Sequence, residues 1–181
     1  MKGAKMYLKL EERIDLFDKE IGMLVPDGMY DWLVKNGFFD KPASLSYHGN
    51  YSGGLFDHSY AVMTFLADAT RNMDLTWKKE RSPYIVGMFH DLCKIENYEK
   101  NEGTGAWYHN TDLLLPGHGD KSIMLLSQFM TLTEEEIYCI RFHMGPYEKW
   151  SRDQYSQAIK KYENVLWTHT ADMYAANVKG I

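Results

Sequence analysis

Apolar side chains recur along most of this chain at helical spacing, and no stretch alternates convincingly with the period of two that a half-buried strand needs. Over residues 5–24 the stripe is Met6, Leu10, Ile14, Phe17, Ile21 and Leu24, with charges on the opposite face and Pro26 beyond its end. A short helix is expected over about 28–35, closed by Asn36-Gly37, a pair suited to a left-handed cap. Residues 37–53 read as irregular, punctuated by Pro42 and Gly53-Gly54. A long helix follows over about 55–73, on the stripe Leu55, Ala61, Val62, Phe65, Leu66 and Ala69. Ser82-Pro83 opens the next, which runs to about Leu92. Residues 97–117 read as a long loop with room for a small hairpin. Helices are expected over 118–130, over 133–144 with Thr133 and Glu136 as a capping box, and over 152–178. The expectation is an all-α fold, a single bundle of six or seven helices spanning residues 1–181.

At 181 residues the chain is one domain by length and buries enough surface to fold without staples. Asp and Glu number 25 against 20 Lys and Arg, a net charge of −5. That balance argues against an extended nucleic-acid surface, which needs excess cations to displace counterions. It leaves room for a small anionic substrate held locally. Cys93 and Cys139 are too few for a disulfide framework and fit a reducing cytoplasm. The first residues reach charges before a signal-peptide core can form, and no apolar run approaches a membrane span. A cytoplasmic protein is expected. The amphipathic helices within residues 5–36 offer a face that a second copy of the chain can cover.

The histidines carry the chemistry. In chain order, His58 lies in GGLFDHS, His90-Asp91 in FHDLCK, His118 in PGHGDKS, His143 in IRFHMG and Asp172 in HTADMYA. Taken singly, each histidine reads more simply as structural. Together they interrupt apolar helix faces: His90 and Asp91 follow IVGMF, and His143 follows IYCIRF. Burying such groups without partners costs several kcal/mol each, and a metal site supplies the partners. Four imidazoles and two carboxylates suit two divalent transition metals, Mn, Fe, Co, Ni or Zn, better than Mg or Ca. Adjacent His90 and Asp91 can face different ions, the carboxylate bridging them. A pair of ions activates water to hydroxide and clamps a phosphoryl group for in-line attack.

GGLFDHS, HDLCK read as HDxxK, and the later Asp of ADMYA resemble the signatures of the HD-domain metal-dependent phosphohydrolase superfamily, an all-helical fold. The resemblance covers roughly residues 42–175, with the helices within 5–36 packed on that core. PASLSYHGNYSGGLFDHS is similar to the segment before the first metal histidine of bacterial HD-domain 3′→5′ exoribonucleases and related phosphodiesterases. The resemblance implies that His58, His90, Asp91 and Asp172 hold one ion. It implies that Asp91 bridges to a second, held by His118 and His143. The chain departs from many two-metal relatives in having Phe142-His143 where they carry a His pair, and it lacks a GYP signature.

The expected activity is hydrolysis of a phosphoester in a nucleotide or short oligonucleotide, with Asp91 and Lys94 in the catalytic role. Lys94 lies three residues after Asp91 and shares its helix face, where it meets substrate phosphate or pairs with the carboxylate. Lys121 and Ser122 begin a helix that can face a phosphate. His48 reaches the pocket if the exoribonuclease-like segment folds as in those relatives. Trp107 can stack on a base. Cys93 reads as core. Two other readings share the ligand order: a di-iron oxygenase resembling myo-inositol oxygenase, and a non-catalytic nucleotide-binding module.

Overall fold

The computed structural model describes residues 7–113, 115, 117–148 and 152–181; the start of the first predicted helix, with Met6, lies outside them. The fold is all-α. Helix α1 (Leu10–Glu20) has Glu11 and Glu12 in its first turn and Lys19 in its last, complementing the helix dipole. Helix α2 (Met29–Lys35) ends at Gly37, whose φ of +79° lets Phe38 N–H return to Leu33 O at 3.0 Å. Residues 37–53 form turns, as their composition implies.

Helix α3 (Gly54–Asn72) is the central rod, and α4 (Ser82–Phe89) packs along it. Gly87 permits the approach: a Cβ there would stand 2.3 Å from Met63 Cα. Helix α4 starts one residue earlier than the Ser-Pro pair suggests, with Arg81 at the cap. Ser82 instead donates its hydroxyl to Glu136 Oε1 at 3.0 Å.

The chain does not continue as an α-helix to Leu92. Beyond Phe89 it tightens, with Leu92 N–H to Phe89 O at 3.2 Å, Lys94 N–H to Asp91 O at 3.0 Å and Ile95 N–H to Leu92 O at 3.1 Å. A short helix α5 (Lys94–Asn97) then leads into a hairpin, β1 (Tyr98–Lys100) antiparallel to β2 (Trp107–His109), with Glu99 opposite Tyr108.

Helix α6 (Gly119–Leu126) and α7 (Glu134–Arg141) follow. The capping box of α7 is present, with Thr133 Oγ1 accepting from Glu136 N–H at 3.1 Å. The predicted helix over 152–178 is two helices, α8 (Arg152–Lys161) and α9 (Asn164–Met173), then a π turn over Tyr174–Lys179. Buried Asn164 holds the break. Its amide donates to Thr76 O at 2.8 Å and Glu135 Oε1 at 2.9 Å, anchoring the start of α9.

The core is aromatic where the N-terminal helices meet the bundle. Phe17 of α1 stands edge-on to Phe39 at 5.3 Å and to Phe89 of α4 at 6.3 Å, and Phe39 lies 5.4 Å from Phe56 of α3. All four rings are buried, each contributing about 2–3 kcal/mol. Among the described residues no helix is long and apolar enough to cross a membrane.

Candidate metal centre

Four segments bring the histidines and carboxylates together. His58 lies in the second turn of α3, and His90-Asp91 lie in the tight turn after α4. His143 lies just beyond α7, and Asp172 near the end of α9. All five are essentially buried.

The turn after α4 explains the HDxxK spacing. In three-residue turns, side chains at i and i+3 eclipse. Lys94 Nζ accordingly meets Asp91 Oδ2 at 2.5 Å, with both side chains buried.

Backbone carbonyls fix the imidazoles. His58 Nδ1 faces Ile181 O at 2.9 Å, His90 Nδ1 faces Gly87 O at 2.9 Å, and His143 Nδ1 faces Ile140 O at 2.7 Å. A carbonyl only accepts, so each Nδ1 carries the proton. In a neutral ring held this way the Nε2 lone pair is left free for a metal. This is how proteins orient histidines toward metals.

The inward atoms cluster at ligand spacing. His58 Nε2 is 3.2 Å from Asp172 Oδ1 and 3.3 Å from His90 Nε2. Asp91 Oδ2 is 3.5 Å from His90 Nε2, and Asp91 Oδ1 is 3.5 Å from His143 Nε2. Two donors each about 2.1 Å from one ion stand roughly 3.0–3.4 Å apart in octahedral or tetrahedral geometry. Asp91 Oδ1 and His143 Nε2 are buried with no hydrogen-bond partner. The donor set fits a metal on both counts. Among the described residues three groups have ligand atoms close enough for one ion: His58 with His90 and Asp172, His90 with Asp91 and His143, and Asp91 with Cys93 and His118.

The electrostatics follow from burial. It pushes the His90 pKa down to about 3, against the pull of Asp91, and so keeps the ring neutral. Burial works to raise Asp91, yet Lys94, His90 and His143 hold it well below the usual carboxylate range. Asp172 is likewise lowered, with burial outweighed by His58 and His90. His143 rises despite burial because Asp91 faces it. The centre therefore holds two ionised carboxylates beside the neutral His90 ring, with the Lys94 ammonium balancing one of them.

The remaining predicted residues fall in different places. His118 is half-buried just before α6, its Nδ1 3.7 Å from Cys93 Sγ, and burial lowers its pKa. His48 packs its ring 4.6 Å from that of His58, and its Nε2 is buried without a partner. Burial with His58 and Lys94 nearby pushes its pKa down to about 4. Lys121 is buried and paired with Glu96 at 2.8 Å, and Ser122 Oγ accepts from Cys93 N–H at 3.0 Å. Both serve the packing of α6 in this structure. Trp107 lies on the hairpin, under Lys100 Nζ at 5.1 Å, lining a cleft with Asp40 and Lys41 that none of the clustered ligands borders.

Two participants escape sequence reasoning. The carbonyl of Ile181 holds His58 from 123 positions away, with no local signal. Cys93 read as core and is indeed fully buried, yet it faces His118. Its place in HDLCK, two residues after Asp91, was the available clue. Searches of protein-family profiles, of curated proteins and of solved structures return no match for this chain.

Proposed function

We propose that this chain is a metal-dependent phosphohydrolase of the HD type, hydrolysing a phosphoester in a nucleotide or short oligonucleotide. The observation that carries the reading is the convergence of three buried imidazole Nε2 atoms on Asp91 and Asp172, each ring held through its Nδ1 by a backbone carbonyl. In this reading His58, His90, Asp91 and Asp172 hold one divalent transition metal, and Asp91, His118 and His143 hold a second. Such ions, when bound, lower the pKa of water and polarise a phosphoryl oxygen.

The protein's own groups do the rest. Asp91 turns Oδ2 toward His58 and His90 and Oδ1 toward His143, so its carboxylate would help to hold both ions. Lys94 fixes that carboxylate through Oδ2 and keeps a cation beside the place where phosphoryl charge develops. His48 Nε2, buried and unbonded beside His58, is placed to meet a substrate oxygen. Lys121 pairs with Glu96, and Ser122 Oγ accepts from the Cys93 amide with its own hydroxyl proton still to donate.

The test is a hydrolysis screen on metal-quantified protein, with Mn, Co, Ni, Fe, Zn and Mg added separately. Substrates are nucleoside mono- and triphosphates, cyclic nucleotides, and short RNA and DNA, with Asp91→Ala as the control. Metal-dependent turnover lost in the variant is expected. Full metal content and activity in Asp91→Ala would sink the proposal. Oxygen uptake with iron bound and no hydrolysis would point to the oxygenase reading. Tight nucleotide binding without turnover would point to a binding module.

A further inference from the structure

The third donor group contains a sulfur that the HD reading does not use. Cys93 Sγ, fully buried, lies 3.7 Å from His118 Nδ1 and 3.9 Å from the Asn97 amide nitrogen. Cys93, His118 and Asp91 present ligand atoms within 4.8 Å of one another. Asp91 Oδ1, which also faces His143 Nε2 at 3.5 Å, is buried with no hydrogen-bond partner.

We propose that Cys93 is a thiolate ligand to the ion on the His118 side, completing a mixed Asp91–Cys93–His118 site that selects a thiophilic metal. The inference rests on the metal-centre reading above and extends it to the identity of the second ion. A metal with S and N bonds of about 2.3 and 2.05 Å at a tetrahedral angle holds those atoms roughly 3.5 Å apart. The observed 3.7 Å is close to that span and also suits an S–H···N hydrogen bond, the metal-free form of the same contact. When the ion enters, the thiol proton leaves to solvent and the sulfur binds as thiolate.

The backbone prepares the position. Cys93 N–H donates to Ser122 Oγ on α6, and His118 O accepts from Ser122 N–H at 3.0 Å. Ser122 thereby ties the sulfur-bearing turn to the segment carrying the imidazole. A thiolate favours Zn, Fe or Co over Mg and Mn. The two ions are then chemically unlike: one bound by nitrogen and oxygen only, the other by a set that includes sulfur.

The experiment uses the full chain, stripped with a chelator and titrated with Co(II), reading bound cobalt per chain and the near-ultraviolet sulfur-to-cobalt charge-transfer band. The band is expected in the wild type and in Cys139→Ser, and is expected to vanish in Cys93→Ser. His118→Ala, at a half-buried position, guards against a Cys93 variant that fails to fold. It is expected to lose the band and one of two bound ions. Cobalt bound with no such band in the wild type, or a band that survives Cys93→Ser, overturns the inference. No cobalt bound at all overturns it together with the metal-centre reading. A thiolate band in a protein that hydrolyses no phosphoester leaves this site standing and removes only the hydrolase assignment.

Discussion

His143 Nε2 and Asp91 Oδ1 face each other across 3.5 Å in the interior, and neither makes a hydrogen bond. Buried polar atoms left this way cost about 1–3 kcal/mol each. An ion between them satisfies both at once. Chelation is therefore expected to destabilise the fold, and added Zn, Co or Mn to restore it. At a hundredfold excess over Kd the gain is about 2.7 kcal/mol. That corresponds to roughly 5–10 °C in Tm for a chain of this length. Differential scanning fluorimetry with and without chelator checks it; an unchanged melting curve contradicts the metal centre.

Lys94 and Asp91 separate chemistry from metal loading. Lys94→Met keeps the packing of the stem and removes the charge. Metal content is expected to stay near the wild-type level while kcat falls about 10²–10³-fold. Asp91→Asn is expected to lose metal and activity together. Elemental quantification beside steady-state kinetics distinguishes the two outcomes.

The buried histidines set the acid response of the metal-free protein. The folded pKa of His90 is pushed down to about 3 and that of His48 to about 4, both from an ordinary 6.5. As pH falls below about 6.5 the unfolded chain takes up protons that the folded chain refuses. Stability should therefore drop steadily from pH 6.5 toward pH 4. His143 shifts the other way, so its contribution is present below 6.5 and fades as pH rises through its raised folded value. Urea unfolding of the chelated protein between pH 4 and pH 8 is expected to show greatest stability near neutrality. A flat profile would show that these rings are not buried as described.

Gly53 makes room for a buried ion pair. Arg13 Nε meets Asp57 Oδ1 at 2.8 Å and Arg13 NH2 meets Asp57 Oδ2 at 3.0 Å, with Tyr51 donating its hydroxyl to Oδ2 at 2.9 Å. A Cβ at Gly53 would stand 2.0 Å from the guanidinium carbon, and Gly53 has φ of +85°. Arg13→Ala leaves Asp57 buried and uncompensated beside His58, a loss of about 3–5 kcal/mol. Gly53→Ala is expected to be destabilising as well, by displacing Arg13. Denaturant midpoints report both; an Arg13→Ala change below 1 kcal/mol would contradict the pairing.

Periodicity carried the helices and the capping box at Thr133, because amphipathic stripes and end signals are local. The break at Asn164 was not legible, since it depends on Thr76 and Glu135, far away in the chain. The centre followed a similar division. His58, His90, Asp91, His143 and Asp172 could be named because polar residues inside apolar runs need partners. That His90 and Asp91 sit on a tight turn, rather than within a helix, could not be read from IVGMFHDLCK. Lys121 looked free for a phosphate because Glu96 is opposed to it only after folding.

The hydrogen bond between His58 and Ile181 carries a consequence for biosynthesis. Its two ends lie 123 positions apart, so His58 leaves the ribosome long before the residue that orients it. A nascent chain that has emerged only as far as α8 lacks Asp172 and the carbonyl that locks His58, however well its earlier helices have docked. His58 therefore takes its finished orientation only after the segment carrying Ile181 has closed onto α3.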